Sequence, residues 1–227
     1  MNDTVYIYGK FIKETPNRFL CTVLVNNDTV ECYIPSSCRL SNFLTLEGQT
    51  VILTPNNNPK ARTRYSVYAV KVGRQFILLN LSKANRIIEA KLKTRRFAFL
   101  GQRKHISTEK SIGGYKSDLY IEDTNTIIEI KSILSFDKVA FFPTVYSERG
   151  VKQLLKLSSL LDQGYRVCYF FVSFNPNVNA VKLNNKIADY TKVFKECISK
   201  GMKSYGLTIK LQNTTPMLCS QIPTEFE

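Results

Sequence analysis

The stretch Lys116-Ser117-Asp118-Leu119-Tyr120-Ile121-Glu122-Asp123-Thr124-Asn125-Thr126-Ile127-Ile128-Glu129-Ile130-Lys131 reads as two strands joined at a turn. Asp123-Thr124-Asn125 supplies the turn chemistry, and the runs on either side, Tyr115 to Glu122 and Thr126 to Ser132, are strand-like. Side chains alternate along a strand, so Glu129 and Lys131 project from one face. A hairpin turned at 123–125 sets Asp118, which begins the first strand, opposite the region of residue 130 and so near both. Two carboxylates converging on one point suit a hard divalent cation such as Mg²⁺. A lysine beside them can orient a water or stabilise the charge that develops on a phosphate. The three residues together suit metal-assisted phosphodiester hydrolysis. An acid–x–lysine pair on a half-exposed strand is also an ordinary surface feature; here Ile127, Ile128 and Ile130 would lock the strand in a core.

Working outward, Ser82 can cap a helix from Lys83 to about Lys93, with Ala84, Ile87, Ile88 and Leu92 at helical spacing. Arg96 to Leu100 reads as a strand ahead of the hairpin. Val145 to Leu161 reads as a second helix, with Val151, Leu154, Leu155 and Leu161 inward. Arg166 to Phe174 is almost continuously apolar, the pattern of a strand buried on both faces. Lys186 to Lys200 is a third helix ended by Gly201, and Ser204 to Leu211 a last strand. The last dozen residues read as a loose tail. Helix, three strands, helix, strand, helix, strand is an α/β order with a mixed sheet.

The first eighty residues have another rhythm. Arg18 to Val25, Thr29 to Ile34, Thr50 to Leu53, Arg64 to Val72 and Arg74 to Asn80 are short strands, with turn chemistry at Asn26-Asn27-Asp28, Pro55 to Pro59 and Gly73. Strands of this size and number suggest a small OB-like barrel. The expected organisation is a barrel over 1–81 and an α/β domain over 82–227.

Charge separates the function classes. The 227 residues carry 32 Lys and Arg against 18 Asp and Glu, a net +14. From Lys60 to Lys116 there are fifteen basic residues opposed only by Glu89 and Glu109. A run this dense predicts a polyanionic partner, bound through counterion release. Tyr65, Tyr68, Phe76, Phe97 and Phe99 interleave with it; they can stack bases, but strand spacing favours core positions. The longest apolar runs, Phe76 to Leu79 and Val167 to Val172, are strand-sized, so no transmembrane helix is expected. Met1-Asn2-Asp3-Thr4 lacks the basic and apolar regions of a secretory signal, which predicts a cytoplasmic protein. None of the six cysteines (21, 32, 38, 168, 197 and 219) forms a CxxC pair, and His105 is the sole histidine. That argues for small buried thiols in a reducing compartment rather than a zinc site.

Two sets of motifs carry a resemblance. Asp118 with Glu129-Ile130-Lys131 resembles the PD-(D/E)xK nuclease superfamily. More of the chain is similar to the sugar fermentation stimulation protein family: Cys32-Tyr33-Ile34-Pro35-Ser36, Asn58-Pro59-Lys60-Ala61-Arg62, Asn80 with Ala84-Asn85 and Glu89-Ala90, and Phe142-Pro143 followed by Ser147-Glu148-Arg149-Gly150-Val151-Lys152. The last block is the most specific, and the similarity runs from about Arg18 to Leu211. The chain departs from the family pattern at Ser36-Ser37-Cys38, at Thr144 where the pattern has Asp, and at Gln153 where it has His.

The resemblance implies an OB-like DNA-binding barrel joined to a PD-(D/E)xK nuclease-like α/β domain with a mixed central sheet. It implies Asp118 and Glu129 as metal ligands for Mg²⁺ or Mn²⁺, Lys131 as the catalytic lysine, and Glu89 as an additional helix-borne acid. Glu148 and Lys152, four apart, can face the site or DNA, or form an ordinary surface pair. Lys60, Arg62, Arg64, Arg86, Arg95, Arg96, Arg103, Lys104, Lys116 and Arg149 are the expected phosphate contacts. Binding is expected mainly to the DNA backbone, with RNA as the other polymer, by a monomer or homodimer. The rival to a metal-dependent nuclease is a non-catalytic DNA-binding regulator of sugar metabolism with a vestigial site.

Overall fold

The computed structural model describes residues 6–35, 39–42, 44–56, 58 and 60–226. The segment Ser36-Ser37-Cys38, Asn57 and Pro59, all used in the sequence reading, lie outside the described residues, as does the side chain of Ser82. Two compact units emerge: Met1–Ser82 with Lys210–Met217, and Lys83–Ile209 with Leu218–Glu227.

The first unit is a barrel. Strands β1 (Ile7–Glu14), β2 (Leu20–Val25), β3 (Asp28–Tyr33), β4 (Thr50–Pro55), β5 (Tyr65–Val72) and β6 (Gln75–Leu78) form a sheet in the order β3-β2-β1-β4-β5-β6. Pairing of β3 with β5 closes the first five into an OB-type Greek-key barrel. Asn26 and Asn27 hold the β2–β3 turn at φ 49° and 71°, the left-handed pair that a two-residue hairpin requires. β1 escapes the sequence reading because its sequence, IYGKFIKE, mixes lysines with apolar residues and is buried only at Gly9 and Phe11. Gly9 is required there: a Cβ would stand 2.5 Å from the Val23 side chain and 2.8 Å from the Leu24 carbonyl. A register shift between Phe11 and Lys13 bends the strand further round the barrel.

The second unit begins with helix α1 (Ala84–Leu92), which buries Ala84, Ile88 and Leu92. Residues 96–100, expected as a strand, fall in a 3₁₀ turn (Arg95–Leu100) instead, burying Phe97 and Leu100. Phe97 fits that turn because it packs on Phe170, with ring centroids 5.8 Å apart. Then come β7 (Ile106–Thr108), the β8 (Ser111–Ile112) and β9 (Tyr115–Lys116) hairpin, β10 (Leu119–Ile121), β11 (Thr126–Ile133) and β12 (Val139–Phe142). The expected strand from 115 to 122 is therefore broken by a bend at Ser117–Asp118. Helix α2 (Glu148–Asp162), β13 (Arg166–Ser173), β14 (Ala180–Leu183), α3 (Ala188–Ser199), β15 (Lys203–Gln212), β16 (Thr215–Ile222) and β17 (Thr224–Glu225) complete it.

The main sheet runs β16-β15-β13-β11-β10-β7, with β15, β13 and β11 parallel and β11, β10 and β7 antiparallel. β12, β14 and β17 form a small second sheet. The residues expected as a loose tail thus include two strands. Their ordering signal is the Asn213-Thr214 turn, both residues at positive φ, which folds β16 back beside β15. α2 starts at Glu148, capped by the Ser147 hydroxyl, which accepts from the Gly150 N–H at 3.2 Å. Leu154, Leu157 and Leu160 form its buried stripe, whereas Leu155, expected inward, is half exposed because it falls on the opposite face. Cys21, Cys32, Cys168 and Cys197 are buried free thiols, and burial pushes Cys32, Cys168 and Cys197 up to about 11. Among the described residues no helix is long and apolar enough to cross a membrane.

Candidate active site

The β10–β11 ladder sets the register. Leu119 pairs with Ile128, so one step further Asp118 stands across from Glu129. The bend at Asp118 turns its carboxylate back over β11. Oδ2 accepts the Ile130 N–H at 2.7 Å, and Oδ1 accepts from the Asn85 side chain of α1 at 2.9 Å. On β11, Glu129 and Lys131 do share a face: the Lys131 ammonium donates to Glu129 Oε1 at 2.6 Å and to Gln153 Oε1 of α2 at 2.8 Å. The second Glu129 oxygen accepts the Tyr115 hydroxyl. Tyr115 arrives through the tight β8–β9 hairpin, whose Gly113 and Gly114 turn at φ 53° and 74°. Lys156 of α2 donates to the Gly114 carbonyl at 2.7 Å and tethers that turn.

Tyr115, Asp118, Glu129 and Gln153 floor an open cleft of about 460 Å³, with Lys131 directly behind Glu129 and Gln153. Its α2 wall presents Arg149, Lys152, Gln153 and Lys156, a stripe at helical spacing that flanks the buried leucines. Lys116 and Glu148 complete the rim, with Lys152 paired to Glu148 at 2.6 Å and Lys116 to Glu109 at 2.7 Å, all well exposed.

The floor and the rim differ electrostatically. Glu129 is 3% exposed, and burial raises its pKa; the Asp118 charge adds to the rise, while Lys131 and Tyr115 oppose it. Burial, reinforced by Glu129, also drives the Tyr115 hydroxyl far above its ordinary range, so it stays protonated and donates. Below lie Tyr169 and Tyr190, hydroxyls 2.6 Å apart, both raised chiefly by burial. The floor is thus a buried carboxylate held by one cation and one phenol, beside a second carboxylate fixed by amide donors.

A cation between Asp118 and Glu129 would relieve the repulsion and the burial that raise Glu129. Carboxylate oxygens are the donors that Mg²⁺ and Mn²⁺ take, and each retains lone pairs beyond those used here. The donor set therefore fits such an ion as a two-carboxylate site completed by water or phosphate. Among the described residues no group of three or more His, Cys, Asp or Glu converges to hold a metal.

The other expected residues scatter. Glu89 is exposed and lines a different cleft with Arg86, Lys93, Lys104, His105 and Glu122; from α1 it is Asn85, one turn earlier, that reaches Asp118. Arg103 is half-buried and donates to the carbonyls of Leu92 and Gly101, so it caps the end of α1. Arg96 donates to the Cys219 carbonyl at 2.8 Å, and Arg95 is exposed. Lys60, Arg62 and Arg64 are exposed on the barrel, Arg62 against Glu31 and Arg64 over the Tyr65 ring. Tyr65, Tyr68 and Phe97 are core residues, while Phe99 is 42% exposed and packs on Tyr205. Sequence reasoning missed Tyr115, Asn85 and Gln153. Asn85 stands inside a family-like segment and Gln153 at a departure from it, but the sequence assigns neither a role.

Comparison with known proteins agrees with this architecture. The family model of the SfsA N-terminal OB domain matches residues 14–79, and that of the sugar fermentation stimulation protein RE domain matches 82–215. A sugar fermentation stimulation protein homolog of Alkaliphilus oremlandii is 28% identical over 185 residues, covering 78% of each chain. One from Clostridium novyi is 31% identical over 153 residues, covering 66% of each. Among solved structures, Pyrococcus furiosus SfsA in complex with Ca²⁺ superposes with a TM-score of 0.84 at 20% identity, over 99% of this chain and 98% of that one. The chain belongs to the sugar fermentation stimulation protein family.

Proposed function

We propose that this protein binds DNA and that the cleft lined by Asp118 and Glu129, with Lys131 paired to Glu129, hydrolyses phosphodiesters with the help of Mg²⁺ or Mn²⁺. One observation carries the reading: the carboxylates of Asp118 and Glu129, brought together by the β10–β11 pairing, line an open cleft rimmed by Lys116, Arg149, Lys152 and Lys156, and Lys131 is held directly behind them by Glu129 and Gln153. Asp118 and Glu129 would hold the ion. A bound divalent ion supplies charge for the phosphate oxygens and lowers the pKa of an attacking water. The chain's own groups do the rest. The rim cations draw the backbone phosphate into the cleft and hold it there. The Lys131 ammonium, fixed by Glu129 and Gln153, stands where it can orient the water or neutralise charge developing on the phosphate. Tyr115 fixes the Glu129 carboxylate from its other side. That a relative was solved in complex with Ca²⁺ supports a hard-cation site in this fold.

One observation favours the second reading, a non-catalytic DNA-binding regulator. Every carboxylate oxygen of Asp118 and Glu129 already accepts a hydrogen bond from the protein, so the network is self-satisfied without an ion. Incubation of the protein with plasmid and single-stranded DNA, with Mg²⁺ or Mn²⁺ and then with chelator, separates the two. Chelator-sensitive cleavage that disappears in Lys131→Ala establishes the enzyme. Salt-dependent binding with no cleavage by the wild type under any ion leaves the regulator.

A further inference from the structure

We propose that the outer face of the barrel binds single-stranded DNA, with the rings of Phe19 and Tyr33 as the platform on which unpaired bases stack. The inference rests on the reading of the protein as a DNA binder and assigns to the barrel a ligand that the cleft does not explain.

Phe19 immediately precedes β2, and Tyr33 ends β3. They are 36% and 38% exposed, and their rings lie 19° from parallel with centroids 6.4 Å apart. The barrel interior does not need them: Cys21, Val23, Cys32 and Ile34 fill it on these strands. Single exposed apolar residues are common on proteins, but two near-parallel exposed rings, one in the turn before β2 and one at the end of β3, offer flat surface to another π system.

The surroundings select the partner. The Arg18 guanidinium lies 4.7 Å from the centre of the Phe19 ring. β3 runs beside β5, pairing Cys32 with Tyr65 and Tyr33 with Ser66, so the exposed Arg64 that precedes β5 belongs to the same edge. Arg62 reaches Glu31, two residues before Tyr33, at 3.5 Å, with both groups exposed enough to exchange partners. Aromatic platforms flanked by arginines are the means by which barrels of this type hold a nucleic-acid strand, stacking for the bases and guanidinium groups for the phosphates. Bases in a duplex have no free faces, so the rings discriminate for unpaired DNA.

The test uses the full chain, a labelled oligothymidylate of about 15 nucleotides and a duplex of the same length, read by fluorescence anisotropy across a salt series. Phe19→Ala and Tyr33→Ala should each weaken oligothymidylate binding about tenfold, with an unchanged log–log salt slope and unchanged duplex affinity. Phe19→Leu and Tyr33→Leu keep apolar bulk without a flat face and should weaken it as much, whereas Tyr33→Phe should bind like wild type. Arg62→Ala with Arg64→Ala should instead flatten the slope by about one for each phosphate no longer neutralised. If the leucine variants bind the oligonucleotide as the wild type does, the platform is discarded and the DNA reading stands. If the wild type binds neither probe, the DNA reading falls and takes the platform with it. If the ring variants convert a dimer to monomer in sedimentation without changing oligonucleotide affinity, the face is a self-association surface and the proposal is overturned.

Discussion

Two glutamates of the β10–β11 hairpin, one on a strand and one in the turn, each paired with a lysine, behave in opposite ways. Glu129 meets Lys131 at 2.6 Å on the floor of one cleft, and Glu122 meets Lys110 at 2.9 Å beside the other. The Glu122 carboxyl is held below its ordinary range by the Lys110 hydrogen bond, then by Ser107. The Glu129 carboxyl is pushed up, because burial outweighs the lysine and Asp118 adds its charge. Side-chain exposure is 44% for Glu122 and 3% for Glu129. Pairing chemistry is therefore not what distinguishes the clefts. Desolvation is, and a desolvated carboxylate beside a second carboxylate gains from a divalent ion in a way that a solvated, lysine-paired one does not. Glu89 lies in the solvated cleft, where its charge has no such use.

The contrast is sharpest in cleavage. Lys131→Ala should reduce Mn²⁺-dependent DNA cleavage by roughly a thousandfold, the scale of removing a group that stabilises transition-state charge. Equal cleavage by Lys131→Ala and wild type would erase the distinction between the clefts. Next in size is ion binding: Asp118→Asn should weaken Mg²⁺ or Mn²⁺ by at least about a hundredfold in calorimetry, since a direct ligand matters more than its supporting shell. Its DNA affinity should hold or rise slightly, because a negative charge facing phosphate is removed.

Titration sharpens the comparison further. The Glu129 pKa is higher in the folded than in the unfolded chain, so between the two values the native state carries the extra proton. Stability of the ion-free protein should therefore fall as pH rises from the ordinary glutamate range through the raised value, and Mn²⁺ should restore it. Ion affinity should decline on acidification with a midpoint above the usual carboxylate range. Asp118→Asn should move the Glu129 midpoint down, because the Asp118 charge is one cause of the rise. Thermal melts at a series of pH values, with and without Mn²⁺, read all of this; a melting temperature that climbs through that window in ion-free buffer contradicts it.

In the solvated cleft the effects should be smaller and purely Coulombic. Reversing Arg86 and Lys104 to Glu should weaken all DNA sequences about equally, with the salt slope reduced by about one for each phosphate no longer neutralised. Smallest of all, Glu89→Gln should leave cleavage within about twofold of wild type, as expected of a surface charge outside the reacting centre. A large loss there, read in the same cleavage assay, would bring the second cleft into the chemistry.

Much of the α/β unit is legible locally. The hydrophobic run of β13, the turn at 123–125 and the two-residue spacing of Glu129 and Lys131 are set by neighbours in the chain, and each has its place in the structure. What failed locally depended on partners far away. Residues 95–100 have strand-like composition, yet Phe97 is better buried against Phe170 in a 3₁₀ turn. β1 has no apolar run of its own, and its order comes from β2 and β4 on either side.

The candidate site divides in the same way. The amino-acid sequence by itself determined the acidic pair, its lysine, the basic wealth of the chain and the existence of a helix, read at 145–161 and found at 148–162, because these follow from residue identity and from periods of two and 3.6 residues. Only the tertiary structure decided which side chains complete the floor. Asn85 replaces Glu89 because the α1 face that meets Asp118 is set by packing. Tyr115 reaches Glu129 because a glycine turn folds its strand back, and Gln153 reaches Lys131 because the buried leucines fix the rotation of α2. Burial, which shifts Glu129 and separates the two clefts, is a property of the whole fold: it counts the atoms that surround a group, and most of those come from distant parts of the chain.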